Sequence, residues 1–258
     1  AVTAAILFAL AWDIVGPVVA GVQLLLLLST YGFLRHAADG RVDMLFCTLV
    51  CAAIACWLRA AARVYVIGLG PERIPGRIFL AMGSYVGLAV LAKGPLGVVL
   101  PFIVMSSISI VTWGRASVFS LLRPGWIVAL LIALPWYLLA AADGGKSFFE
   151  RQILFENLSR FVGGETVNAK PFWFYFKEFW GHAAPWSVLG PLLLLALYRT
   201  CVTSNSTPTD RSNVQQKFAL RAGLVWFVSL IVFFSLSAGK RSAYLLPLLP
   251  ALTLVIAI

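Results

Sequence analysis

Charge is scarce in this chain. Only 12% of its residues are Asp, Glu, Lys or Arg, where an ordinary soluble domain carries about 25%. With 61% hydrophobic residues and a mean hydropathy of +0.93, the shortage excludes a water-solvated globule, and most of the surface must face lipid. Strict alternation of apolar and polar residues is missing too. The apolar runs continue for about 15 to 20 residues, where barrel strands show about 10 with dyad alternation, so the expected fold is all-α, a polytopic transmembrane helical bundle. Cysteine is sparse: Cys47, Cys51, Cys56 and Cys201 form no CxxC pair, and the first three share one apolar run, the setting of small buried hydrophobes. No internal repeat is visible. The start lacks Met, a basic segment and a cleavage motif, and both ends lie inside apolar runs, so the chain reads as a fragment and not as one with a signal peptide.

What is present is a series of apolar runs near 1–12, 14–34, 43–62, 78–92, 95–113, 125–142, 185–199, 219–237 and 244–258, about nine spans in one domain over 1–258. Their connections alternate between two membrane faces. Residues 35–42, the Lys93–Gly94 turn, 143–184 and 238–243 share one face; 63–77, 114–124 and 200–218 share the other. The net charge of +10 would suggest nucleic acid in a soluble protein. In lipid its distribution among loops matters instead, and no nucleic-acid partner is expected. The second face carries Arg59, Arg63, Arg73, Arg77, Arg115, Arg123, Arg199, Arg211, Lys217 and Arg221, with Glu72 and Asp210 as its acids. The first face holds the remaining basic residues, half of them in 143–184, together with most of the acids. Raw basic counts tie, but short loops decide orientation, which makes the second face cytoplasmic. The polar stretch 203–216 fits a cytoplasmic linker.

Lys93 poses the sharpest question, because it is the only formal charge between Ile78 and Trp113. Those 36 residues would make a helix of about 54 Å, well beyond a hydrocarbon core of about 30 Å. Gly94–Pro95 supplies the break. Lys93 therefore belongs to a hairpin turn at the outer face, where its cost falls.

The long outer loop, 143–184, is built to lie on the membrane. Phe148, Ile153, Leu154, Leu158, Phe161 and Val162 alternate with Lys146, Glu150, Arg151, Glu156 and Arg160 in an amphipathic pattern. "KPFWFYFKEFW" then has the composition of an aromatic interfacial belt. Every outer loop contributes charge at this level: Arg35, Asp39, Arg41 and Asp43; Lys93; Arg151, Arg160 and Lys170; Lys240 and Arg241. Such a set suits an amphiphilic anion, a lipid-linked phosphate. The same residues also serve as snorkelling anchors and loop charges. Glu178 and His182, at i and i+4, are two ligands short of a tetrahedral metal set.

In colinear order, "RHAADGRVDMLF" (35–46), "LAKGPLGVVLP" (91–101), "PWYLLAA" (135–141), "FENLSRFVGG" (155–164), "KPFWFYF" (170–176), "HAAPWS" (182–187) and "FFSLSAGKRSAYLLPLLPAL" (233–252) resemble bacterial polytopic glycosyltransferases of the GT-C type. The group they resemble is that of the 4-amino-4-deoxy-L-arabinose lipid A transferases and dolichyl-phosphate-mannose-protein mannosyltransferase-like proteins. The resemblance implies a membrane glycosyltransferase of the bacterial inner membrane. It would move a sugar from a polyprenyl phosphate, commonly undecaprenyl phosphate, to a lipid A, glycan or protein acceptor on the periplasmic side, with inversion. No cofactor is expected to be required, and a divalent metal is left open. Such transfer needs a carboxylate to activate the acceptor and cations to stabilise the departing lipid phosphate.

By that resemblance Asp43 is the second acidic position of the cavity. Lys93, Arg160, Lys240 and Tyr244 bind donor phosphate or substrate, Lys240 and Tyr244 through a short K-x-x-x-Y turn. Lys170 stands where members often show His. The family's main catalytic carboxylate lies in the first extracytoplasmic loop, and this chain begins within what corresponds to the second span. Two rivals use similar features: a transporter or flippase of a lipid-linked saccharide, and a non-catalytic membrane assembly partner. Inverted repeats and midplane helix breaks would favour a transporter, whereas the charges here gather at one face. Purified alone, the 258-residue chain is expected to be inactive, and sugar transfer measured from it would overturn that expectation.

Overall fold

The computed structural model describes residues 1–148, 170–190, 195 and 211–258. Among the described residues ten α-helices follow one another: α1 (Val2–Val15), α2 (Pro17–Leu28), α3 (Tyr31–Ala38), α4 (Val42–Val66), α5 (Gly76–Lys93), α6 (Leu96–Trp113), α7 (Gly125–Phe148), α8 (Phe174–His182), α9 (Arg211–Leu236) and α10 (Leu249–Ala257). Short 3-10 turns at Pro71–Arg73, Arg115–Leu121, Trp186–Leu189 and Ser242–Leu248 join them, and no strand occurs among the described residues. Lipid offers no partner to a bare peptide group, so each segment closes its hydrogen bonds within itself.

Among the described residues five helices are long and apolar enough to cross a membrane: Val42–Val66, Gly76–Lys93, Leu96–Trp113, Gly125–Gly145 and Arg211–Leu236. α2 and α3 make a further candidate as a pair bent by 62°, and Val2–Val15 and Ser242–Ala257 are shorter apolar helices. The run expected at 185–199 opens with the turn Trp186–Leu189 and otherwise lies largely outside the described residues. Four details correct the sequence reading. The 14–34 run breaks at Ser29–Thr30, whose hydroxyls donate to the Leu25 and Leu26 carbonyls at 2.6 and 2.7 Å while the Tyr31 amide turns to the Ala184 carbonyl at 2.8 Å. Hydroxyls bonded back onto a helix bend it, and apolar counting does not register that. Asp13 lies inside α1 and joins the acids of the basic end. Residues 211–216 belong to α9 and not to a linker, as suits Gln215, Gln216 and Lys217, good helix formers. The last run begins as a 3-10 turn because Pro247 and Pro250 remove amide donors.

α4 is the central helix. It packs against α1, α5, α6 and α9 and buries Trp57, Leu58 and most of its other side chains. Cys47 and Cys51 are buried in it, their Sγ atoms 3.9 Å apart. Both behave as the small hydrophobes expected, while Cys201 lies outside the described residues. The hydrogen bonds between loops sort into two ends. At one, Asp43 meets Lys93 and Tyr175 meets Arg241; at the other, Arg123 donates to the Glu72 carbonyl at 2.9 Å and Trp113 to that of Leu69 at 3.2 Å. The loops joined by these bonds are thus grouped as the alternation predicts.

Of the outer segment 143–184, residues 149–169 lie outside the described residues, including Arg151, Arg160 and the amphipathic stretch. The aromatic part is present as α8 and the residues before it, where Phe172, Trp173 and Phe176 are exposed in the manner of an interfacial belt.

α5 and α7 lie in direct backbone contact, and glycine makes this possible. A Cβ at Gly83 would overlap the Gly125 carbonyl, one at Gly125 would overlap that of Phe79, and one at Gly87 would stand 2.9 Å from the Ala129 oxygen. Gly83 and Gly87, spaced i and i+4, are a small-xxx-small contact that lets two backbones touch where no hydrophobic force drives them together. Gly83→Val should therefore destabilise the bundle by about 1–3 kcal/mol. Unfolding in mild detergent reads this as a lowered midpoint, and an unchanged midpoint would refute the packing role.

Candidate functional site

The end of the bundle where α4 begins is organised by two helix termini of opposite polarity. Asp43 lies in the first turn of α4 and Lys93 is the last residue of α5. Each charge complements its own helix dipole, carboxylate at an N-terminus and ammonium at a C-terminus. The Lys93 Nζ donates to Asp43 Oδ1. Gly94, at φ 75°, then turns the chain so that Pro95 can start α6. Positive φ favours glycine here, so the Gly-Pro break read in the sequence is also what fixes the direction of Lys93.

Aromatic rings enclose the pair. The Lys93 ammonium lies 5.3 Å from the centroid of Phe46 and 5.2 Å from that of Tyr244, within range for cation–π attraction. Tyr244 comes from the Ser242–Leu248 turn and stacks on Phe234 of α9 at 5.0 Å and 21°. Behind it, Tyr175 of α8 donates to the Arg241 carbonyl and accepts from the Arg241 amide, both at 3.3 Å. Burial pushes the Tyr175 phenol well above its ordinary range, so it stays protonated and holds the turn that carries Tyr244. The side chains of Asp43 and Lys93 retain 20% and 23% exposure, enough to leave the pair accessible from outside.

Of the residues singled out in the sequence, Asp43, Lys93 and Tyr244 converge. Lys240 sits in the same turn as Tyr244, but its Nζ donates to the Ser237 carbonyl, and no contact joins it to the Asp43–Lys93 pair among the described residues. Burial lowers the pKa of Lys240, since a carbonyl solvates an ammonium without neutralising it. Arg160 lies outside the described residues. Lys170 lies over the ring of Phe174 at 4.6 Å.

Sequence reading missed Phe46 and Tyr175. Phe46 was recoverable as the i+3 neighbour of Asp43 on one helix face; Tyr175 was not, because its partner is a backbone group 66 residues away. It also missed a stacked pair, His36 and His182, with ring centroids 5.8 Å apart. Their Nδ1 atoms lie 3.9 Å from Asp39 and 3.6 Å from Glu178, respectively. Among the described residues, no group of three or more His, Cys, Asp or Glu side chains gathers to hold a metal ion.

Fold and site together define a polytopic helical membrane protein with a charged, aromatic-walled cluster at one end of its bundle. No family model matches the chain. Curated relatives do. The undecaprenyl phosphate-alpha-4-amino-4-deoxy-L-arabinose arabinosyl transferase of Serratia proteamaculans is 28% identical over 207 residues, 79% of this chain and 35% of the relative. A transferase of the same name from Sodalis glossinidius is 30% identical over 212 residues, 79% and 34% of the two chains, and one from Pseudomonas fluorescens is 31% identical over 179 residues, 69% and 30%. The crystal structure of ArnT from Cupriavidus metallidurans bound to undecaprenyl phosphate matches 99% of this chain and 43% of its own length, with a TM-score of 0.75 at 21% identity.

The chain is thus homologous to these arabinosyl transferases along the matched stretch and has the ArnT fold, the GT-C-like bundle expected from the sequence. It spans about a third of the length of the curated relatives it matches.

The Asp43–Lys93 contact should show as a coupling. Asp43→Asn and Lys93→Met are each expected to lower the unfolding midpoint in detergent, and the double variant to lose less than the sum of the two. Additivity of the singles within about 0.5 kcal/mol would deny the pair any interaction of its own.

Proposed function

We propose that this chain forms part of a membrane glycosyltransferase that moves a sugar from an undecaprenyl phosphate donor to a lipid or glycan acceptor. The single observation that carries this reading is the convergence of Asp43, Lys93 and Tyr244 at one end of the bundle, in a chain homologous to transferases whose names specify an undecaprenyl phosphate-linked sugar. The sugar those names give is 4-amino-4-deoxy-L-arabinose, and it is the proposed cargo.

Transfer breaks the bond between the anomeric carbon and a phosphate oxygen, so negative charge grows on the lipid phosphate. A preorganised ammonium in a partly dry site stabilises that charge far more than water does. Lys93 has this character: Asp43 aims it, and the rings of Phe46 and Tyr244 limit its access to water. In the proposed complex the phosphate takes up the free hydrogen-bonding directions of the Lys93 ammonium, the Tyr244 hydroxyl donates to a phosphate or sugar oxygen, and Lys240 and Arg160 supply further positive charge. Asp43 keeps Lys93 in place when the phosphate is absent. The placement is bacterial inner membrane with the site on the periplasmic side. Supporting this, the end opposite the site carries arginine in short loops, the mark of a cytoplasmic face.

In an active preparation of the protein, Lys93→Ala and Arg160→Ala should each lower the rate of sugar transfer by about 100-fold or more if they stabilise the departing phosphate. Transfer kinetics unchanged in both variants would refute phosphate binding at this end.

A further inference from the structure

The basic end of the bundle carries a second charged cluster, which the proposed transfer does not use. Arg59 and Arg63 lie on α4 beyond Asp43, about 24 and 30 Å farther along its axis at a rise of 1.5 Å per residue. With Asp43 at one membrane level and a hydrocarbon core of about 30 Å, Arg63 stands at the opposite interface and Arg59 one turn inside it. Asp13 of α1 meets both, its Oδ2 lying 3.2 Å from Arg59 Nε and 3.9 Å from Arg63 Nη2. The Arg59 contact is an ion pair but not an aligned hydrogen bond, and Arg59 Nε is buried with no hydrogen-bond partner.

These three side chains stand in a groove of about 520 Å³ between α1, α4 and α5. Its walls are otherwise mostly alanine, including Ala9, Ala55 and Ala81, with Ile6 and Ile78 among them and Tyr85 on the α5 side. Charge at this depth is expensive and calls for a function. One carboxylate faces two guanidiniums, so the cluster keeps one positive charge after its internal pairing. An alanine-lined trough at hydrocarbon depth, continuous with cations at headgroup level, has the shape and polarity of an amphiphile in negative relief.

We propose that this groove binds an anionic glycerophospholipid of the leaflet at the basic end, with its phosphodiester against Arg59 and Arg63 and one acyl chain over the alanine floor. A single phosphodiester charge matches the residual positive charge. A zwitterionic lipid brings its own ammonium against the arginines and is disfavoured. Guanidinium groups suit this anion because their planar donors reach two phosphate oxygens at once. The site is independent of the transfer reaction, lying at the other membrane level, and on the orientation above the lipid comes from the anionic cytoplasmic leaflet.

Native mass spectrometry of the purified 258-residue chain, titrated in detergent with phosphatidylglycerol or with phosphatidylcholine of the same acyl chains, tests the proposal. Phosphatidylglycerol should be retained preferentially, and Arg63→Gln should weaken its retention about fivefold, the effect of one basic residue beside an anionic headgroup. Ala81→Phe, an apolar change at an exposed groove position, should weaken retention without altering charge, whereas Asp13→Asn should strengthen it. Inorganic phosphate at millimolar concentration should not displace the lipid. Equal retention of the two lipids, unchanged retention in both Arg63→Gln and Ala81→Phe, or displacement by inorganic phosphate would overturn the proposal.

Discussion

The site end of this bundle depends on one ion pair between two helix termini. Asp43 opens α4 and Lys93 closes α5, so their contact ties the start of the central helix to the turn from which α6 departs. Each partner is stabilised twice, by the other and by the dipole of its own helix. At this level neither partner is cheap to leave alone, because a single charge in a partly dry setting loses its hydration with nothing in exchange. The rings of Phe46 and Tyr244 around the ammonium raise the stakes by displacing water while offering a weaker attraction of their own. The geometry of Gly94, Pro95 and the Ser242–Leu248 turn serves the same contact.

α4 then transmits this constraint through the membrane. Its 25 residues span about 37 Å, longer than the hydrocarbon core, so both ends must carry groups that tolerate an interface. The chain meets that requirement with a carboxylate at the N-terminal end and arginines toward the C-terminal end. Between them the helix is nearly all small or apolar and mostly buried, which lets α1, α5, α6 and α9 surround it. The separation of the two charged clusters is therefore a consequence of one helix crossing one bilayer. It also explains why the outer and basic ends can carry unrelated chemistry.

How far the sequence revealed this depends on the kind of signal each feature left. Membrane class, helical architecture, the Gly-Pro break and the place of Lys93 in a turn at one end of the bundle followed from length and charge alone, because lipid penalises every departure from a continuous apolar helix. The kink at Ser29–Thr30 left no such trace, since hydroxyls bonded back onto their own helix do not disturb an apolar count. Asp13 escaped notice for a related reason: one acid near the end of a helix looks like part of a loop until its arginines are found on a neighbouring helix. Asp43, Lys93 and Tyr244 were named from a resemblance, but their convergence, like the anchoring of the last turn by Tyr175, joins segments far apart in sequence. Periodicity within a segment cannot express such a join. Arg160 lies outside the described residues, so its place rests on the resemblance alone.

Lys93 and Lys240, at the site end, show what distinguishes one cation from another at a membrane surface. Lys93 is paired with a carboxylate on a different helix, so its charge is neutralised and its position is fixed by tertiary structure. Lys240 is buried in its own turn and donates to the Ser237 carbonyl, which satisfies a hydrogen bond and leaves the charge standing. Desolvation then works against the ammonium, and its pKa falls. Among the described residues Lys240 has a hydrogen bond but no counter-charge, and such a buried cation gains more from an arriving anion than a cation already paired. On the proposed reading the lysines therefore divide the work: Lys93, aimed by Asp43, is the preorganised ammonium that meets the departing phosphate, while Lys240, a few residues from Tyr244, adds a further positive charge that a lipid phosphate would relieve.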